Sequence, residues 1–165
     1  MSFSPIPDIC VRNIFSVTPE WLRQKGITLL LADLDNTLSP YGEDLPPAPV
    51  LDWIAGCRAA GIALFMISNT GNEKRAVGYA KACEMPYMIR ARKPSPKGPL
   101  SIMAKLGKAP AETALIGDQI FTDGLAANRA GILSIVTRPL RMGPFLRFRY
   151  IVEQPFRYLC KEKKL

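Results

Sequence analysis

The chain has 165 residues, 48% of them hydrophobic and 22% charged, and a formal net charge of +8; this describes one globular domain with a core of its own and excludes a disordered chain. It has no histidine and four scattered cysteines with no CxxC pair, which excludes Ser-His-Asp and Cys-His hydrolases and argues against a zinc site. The apolar runs at 27–32 and 62–67 fall well short of the ~20 residues that span a bilayer, and no signal peptide is visible, so a cytoplasmic protein with reduced thiols is expected.

In chain order, residues 1–17 carry two prolines and no clear periodicity, and no element is expected there. "TPEWLRQKG" (18–26) predicts a short helix, with Thr18 as N-cap, Pro19 at the first helical position and Gly26 at the exit. "ITLLLADLD" (27–35) is a continuous apolar run, the pattern of a strand covered on both faces. "APVLDWIAGCRAAG" (48–61) predicts a helix, "IALFMISN" (62–69) a second buried strand, and "NEKRAVGYAKAC" (72–83) a helix. "MPYMIRA" predicts a short strand and "SPKGPLSIMAKLG" (95–107) a helix. "ETALIGD" (112–118), "FTDGLAANRAG" (121–131) and "ILSIVTR" (132–138) then read strand, helix, strand. Strands alternating with helices predict an α/β fold, an open, Rossmann-like, doubly wound and mostly parallel sheet whose ligand sits beyond the carboxyl ends of the strands.

Polar residues stand at those ends. The first strand runs into Asp33, Asp35, Asn36 and Thr37, the second into Ser68, Asn69 and Thr70, and the later one into Asp118, with Asp123 following. Lys93 lies in "ARKPSP", on the loop after the third strand. Each feature alone is ordinary: a DxD can be a turn, Asp118 or Asp123 a helix cap, Lys93 a solvated charge. All of them, each just past an apolar strand, point to one site. Several carboxylates brought together repel. Mg2+ would resolve that, since it takes one or two carboxylates together with water and phosphate oxygens. Acids, a cation, a lysine and hydroxyls suit phosphoryl transfer. One aspartate can attack phosphorus, and the other can protonate the leaving oxygen and then activate water.

These residues resemble the haloacid dehalogenase (HAD) superfamily. "DLDNT" matches its DxDx[TV] first motif, "ISNT" its second, "RKPSP" its third and "GDQIFTD" its GDxxxxD fourth, in order. "PEWLRQKGITLLLADLDNTL", "RARKPSP" and "NRAGI" further resemble the YqeG-type subfamily of class IIIA, which is related to phosphatidylglycerophosphate phosphatases. The resemblance implies that Asp33 is the nucleophile and a Mg2+ ligand, and that Asp35 is the general acid/base with its backbone carbonyl on the metal. Thr37 would support the first-motif loop. Ser68 and the Asn69 backbone would bind the phosphoryl group and Lys93 would stabilise its charge. Asp118 would ligate Mg2+, with Asp123 supporting it directly or from behind.

Asp33 and Ser68 are 35 positions apart, and Ser68 and Lys93 are 25 apart, which leaves no room for a cap domain; "SPYGEDLPPAP" (39–49) is at most a small flap. An uncapped site admits large substrates. The core is expected over 1–137, followed by a basic aromatic extension at 138–165, packed on the core or flanking it. The extension holds eight basic residues against Glu153 and Glu162, a net +6. Charge interleaved with Phe145, Phe148, Tyr150, Phe156 and Tyr158 suits an anionic membrane surface and, as a weaker fit, single-stranded nucleic acid. Pro139, Pro144 and Pro155 predict that this region is not one long helix. The expected activity is hydrolysis of a phosphate monoester by way of an aspartyl-phosphate. The favoured substrate is a membrane lipid phosphate of the phosphatidylglycerophosphate type, with a nucleic-acid 3′-phosphate or small phosphometabolite as the alternative. A non-enzymatic binding module is disfavoured, because both first-motif aspartates are present.

Overall fold

The computed structural model describes residues 4–160 and 162–164. Seven strands form one sheet: β1 (Ile9–Val11), β2 (Leu29–Ala32), β3 (Ala63–Ile67), β4 (Tyr87–Met88), β5 (Thr113–Gly117), β6 (Leu133–Val136) and β7 (Glu162–Lys164). Their order is β4-β3-β2-β5-β6-β1-β7, and every pairing is parallel. The helices are α1 (Pro19–Gln24), α2 (Ala48–Ala59), α3 (Glu73–Ala82), α4 (Lys97–Leu106), α5 (Leu125–Ala130) and α6 (Pro144–Tyr158). The expected α/β doubly wound architecture is present.

The continuous apolar runs follow from two-sided burial. In β2, Leu30 and Ala32 face a core that contains Trp21, Leu22, Ile54 and Tyr79, while Leu29 and Leu31 face a second core with Ile102, Met103 and Ala126. Alternate residues point to opposite faces of a strand, so a strand with a layer on each side has no polar position to spare. From β2 the chain winds outward through β3 to β4, then returns to β5 on the other side of β2. That reversal opens a crevice beyond the ends of β2 and β5, where ligands of such sheets bind.

One expectation is corrected and another refined. The N-terminal stretch in which no element was expected holds two within residues 4–17: "ICV" is β1, wholly buried between β6 and β7, and a 3-10 turn follows at Ile14–Ser16. Three residues are too few to show a period, but the sheet supplies partners on both edges. The carboxylate of Asp8 also accepts from Ser134 N and Oγ at 3.1 and 2.9 Å. Residues 138–165 are not one long helix, as expected, since 138–143 precede α6 and β7 follows it; but Pro155 does not break α6, a continuous helix of 15 residues. Pro144 sits at its first position, where the missing N–H would find no partner anyway. Pro155 lies inside the helix, and the Glu153–Arg157 ion pair at 3.0 Å bridges across it. Lys161, and the side chains of Lys163 and Lys164, lie outside the described residues.

Candidate active site

Asp33 follows β2 directly, and its N–H donates to Ile116 O of β5 at 2.9 Å, so the sheet ladder itself fixes the nucleophile candidate. The loop after it turns sharply. Asn36 adopts the left-handed conformation at φ 61°, which asparagine tolerates better than most residues. Its side-chain oxygen accepts from Arg141 N at 3.2 Å. Thr37 Oγ1 donates back to Asp33 Oδ2 at 3.3 Å. Ser68 follows β3 and is buried; its Oγ accepts from Thr70 N at 3.1 Å.

Asp118 follows β5, and Asp123 ends its own short excursion, a single π-type turn over Ile120–Gly124. Gly117 explains the spacing of this motif. A Cβ at that position would lie 2.2 Å from Asp123 Cγ, so the Asp123 side chain occupies the space that any other residue would fill. Gln119 N and Thr122 Oγ1 donate to Asp123 Oδ2 at 3.2 and 3.3 Å.

One carboxylate oxygen from each of Asp33, Asp118 and Asp123 lies within 4.8 Å of the others, and all three residues are buried. Lys93 enters from the third-motif loop. Its Nζ donates to Asp33 Oδ1 and Asp123 Oδ1, each at 2.6 Å, and to Ile67 O at 2.9 Å. Asn69 holds that loop by a reciprocal pair: its Nδ2 donates to Lys93 O and its Oδ1 accepts from Lys93 N, both at 2.8 Å. Sequence reasoning assigned Asn69 a backbone role and missed this side-chain brace. Asp35 stands apart from the acidic triad. Its Oδ1 accepts from Arg75 Nη1 at 2.5 Å. Nothing in "NEKR" marked Arg75 in advance, because an arginine in the first turn of a helix reads as a solvated charge.

The electrostatics are those of too many acids for one cation. Burial pushes the Asp33 carboxyl up to about 7; Lys93 opposes this, and the charges of Asp123 and Asp35 reinforce it. Asp118 is raised well above the ordinary carboxylate range, by burial first and then by Asp33 and Asp123. Burial would lower the Lys93 ammonium, but Asp123 and Asp33 outweigh it and hold the group charged. Both oxygens of Asp118 are buried with no hydrogen-bond partner. An orphaned carboxylate is costly, and a second cation beside it would complete the site. The donor set is all oxygen, as Mg2+ requires.

The site opens into a cavity of about 480 Å3. Its lining includes Asp33, Asp35, Ser68, Asn69, Lys93 and Asp123 from the strand ends, Tyr41 from the small flap, and Phe145, Leu146 and Arg149 from α6. A wall from α6 was not expected from the sequence. That helix is seated by a buried polar clasp: Ile120 N donates to Glu153 Oε1 at 3.0 Å, and Arg157 donates to Asp118 O at 2.6 Å and to Thr137 O at 2.8 Å.

The geometry agrees with known proteins. A family model described as HAD-hyrolase-like matches residues 90–138. The chain is 31% identical over 160 residues to the Bacillus subtilis protein named Probable phosphatase YqeG, covering 96% of this chain and 92% of that one. It is also 31% identical over 144 residues to phosphatidylglycerophosphate phosphatase 1, chloroplastic/mitochondrial, of Arabidopsis thaliana. That match covers 82% of this chain but 41% of the plant protein, so the chain spans less than half of it. Among solved structures, the fold is similar to 3-deoxy-D-manno-octulosonate 8-phosphate phosphatase from Yersinia pestis (TM-score 0.55, 17% identity, 87% of this chain and 75% of that one). It is also similar to the cobalt-bound deoxy-D-mannose-octulosonate 8-phosphate phosphatase from Haemophilus influenzae (TM-score 0.53, 15% identity, 79% and 89%). A relative matched along nearly its whole length at this identity shows the family: the chain belongs to the YqeG-type phosphatases of the HAD superfamily.

Proposed function

We propose that this phosphatase is Mg2+-dependent, works through an aspartyl-phosphate on Asp33, and acts on a membrane lipid phosphate of the phosphatidylglycerophosphate type. The observation that carries the reaction is the acidic triad closed around Lys93, with the Asp118 carboxylate left unpartnered. Asp33, Asp118 and Asp123, with the Asp35 backbone carbonyl, are the groups that would hold the metal. Bound there, Mg2+ would offset the crowded carboxylates and draw charge from the phosphoryl oxygens. Asp33 attacks phosphorus. Asp35 gives a proton to the leaving oxygen and later takes one from the attacking water. Ser68 and the Asn69 backbone hold the phosphoryl oxygens, Lys93 balances their charge, and Thr37 steadies the Asp33 loop.

Three observations support the lipid substrate. The cavity extends well beyond the phosphoryl position and reaches α6. That helix is inverted: Glu153 and Arg157 are buried, whereas Phe145 (76% exposed), Phe148 (69%) and Ile151 (62%) face outward with Val152 and Tyr158. Its sole acid is the buried Glu153, so its outer surface carries no acid: apolar, aromatic and basic groups together with the amide of Gln154. An exposed apolar face edged with arginines fits an anionic bilayer. The plant relative's name points to the same chemistry. No described helix is long and apolar enough to cross a membrane, so residues 138–165 would hold the protein peripherally on the cytoplasmic face.

Phosphate release from phosphatidylglycerophosphate in mixed micelles, with and without Mg2+ and beside Asp33→Asn, tests both parts. Mg2+-dependent release that the variant loses is expected, together with sedimentation on anionic vesicles that Phe148→Glu weakens. The same basic aromatic surface also suits single-stranded nucleic acid. Turnover of an aryl phosphate or an oligonucleotide 3′-phosphate, with the lipid untouched and no vesicle binding, would move the substrate to the soluble alternative, a nucleic-acid end or small phosphometabolite.

A further inference from the structure

Arg75 is the third residue of α3, and its side chain is 5% exposed. A buried guanidinium is expensive unless its N–H groups are paired. Among the described residues, the partners of this guanidinium lie on the loop that follows β2. Nη1 donates to Asp35 Oδ1 at 2.5 Å, Nε to Glu43 O at 2.8 Å, and Nη2 to Pro40 O and Ser39 Oγ at 3.3 and 3.4 Å. We propose that Arg75 is the positioning residue for Asp35: it fixes one carboxylate oxygen and leaves the other to exchange the proton of the leaving group. This rests on the phosphatase reading above.

The contacts favour this role over simple loop fastening. Tyr79, one helical turn further along α3, already ties the loop down, since its Oη donates to Leu38 O at 2.9 Å. A second carboxylate is also within reach, but Asp44 stays at 3.9 Å and is largely exposed, while the shortest Arg75 contact goes to the carboxylate that lines the cavity. In the reaction, Asp33 bonds to phosphorus as the bond from phosphorus to the leaving oxygen breaks. The electron pair stays on that oxygen, which takes the Asp35 proton. Water then attacks the phosphoryl-aspartate, giving its proton to Asp35 and freeing Asp33 and inorganic phosphate.

Leaving groups differ in their need for that proton, and this supplies the test. 4-Nitrophenolate departs as a stable anion, while phenolate gains from protonation. We therefore compare kcat/KM for phenyl phosphate and 4-nitrophenyl phosphate at saturating Mg2+ in wild type, Arg75→Ala, Arg75→Lys and Asp35→Asn. A positioned acid contributes on the order of 10²–10⁴-fold. Arg75→Ala should then lose about 10–100-fold on phenyl phosphate and less than about threefold on the nitro ester, as a partial loss of that term. Asp35→Asn should show the same selectivity, and Arg75→Ala added to it should not increase the selectivity further. Arg75→Lys, which keeps the charge but not the fork, should fall between. The ratio of the two substrates in one preparation is independent of the folded fraction, so poor folding does not mask the result. Equal loss on both esters, or no loss on either, overturns the positioning role. Release from neither ester by wild type overturns the phosphatase reading and this assignment with it.

Discussion

The carboxyl edge of the sheet and helix α6 both bury charge, in opposite ways. At the sheet edge Asp33 and Asp123 share Lys93, and the Asp118 carboxylate beside them has no hydrogen-bond partner among the described residues. In α6, Glu153 and Arg157 pair with one another and with the backbone groups of residues 118, 120 and 137, leaving Arg157 Nε without a hydrogen bond among the described residues. Buried charge that is paired seats an element, whereas buried charge in excess of its partners waits for a ligand. The clasp also links the two regions. Arg157 holds the carbonyl of Asp118, and the outward face of the same helix meets the cavity mouth.

The comparison breaks most sharply on activity. Asp33→Asn should lower phosphate release by about 10³-fold or more, since it removes the proposed nucleophile. Gly117→Ala, in the backbone rather than in the charged set, should also lower it severely, because the new methyl takes the place of Asp123; phosphate release beside wild type checks both. On stability the two regions should diverge in sign. Arg157→Met strands Glu153 in the interior and should cost about 3 kcal/mol, a fall in Tm of roughly 6–12 °C. Asp118→Asn in EDTA should instead raise Tm by a few degrees, roughly the 1 kcal/mol range, because it removes an unpaired acid. It should also abolish the stabilisation by Mg2+. Thermal melts with and without the metal read both effects.

The smallest effect is the pH dependence. The Asp33 carboxyl ordinarily titrates at 3.8 and is raised to about 7 in the fold. Between those values the metal-free folded protein holds a proton that the unfolded chain has released. Stability of the metal-free protein therefore falls as pH rises through that window. Mg2+ needs the carboxylate free, so its stabilising effect should grow from pH 5 to pH 8. A Tm increment from Mg2+ that is flat or declining over that range would place the metal away from Asp33.

Much of this was legible in the chain. The apolar runs ending on Asp33, Ser68 and Asp118 gave the buried strands and their functional ends together, because a strand covered on both faces must be apolar until the sheet stops. Lys93 and Asp123 were expected at the same edge from their places just past the apolar strands. Gly117 was part of the motif, but only the packed Asp123 side chain shows why it must be glycine. Asn36 likewise needed the turn to be seen before its role was clear.

The sequence by itself determined the layered fold and the polar residues that follow its central strands, since these depend on local periodicity and on residues a few positions apart. Only the tertiary structure decided which charges are paired. Arg75 reaches Asp35 across 40 positions, and Arg157 reaches Asp118 across 39. Neither sequence neighbourhood differs from that of a solvated surface charge. The inversion of α6 was decided there too: its arginines and aromatics could be counted from the chain, but which side faces the protein depends on the carbonyls and N–H groups that the sheet edge presents to it.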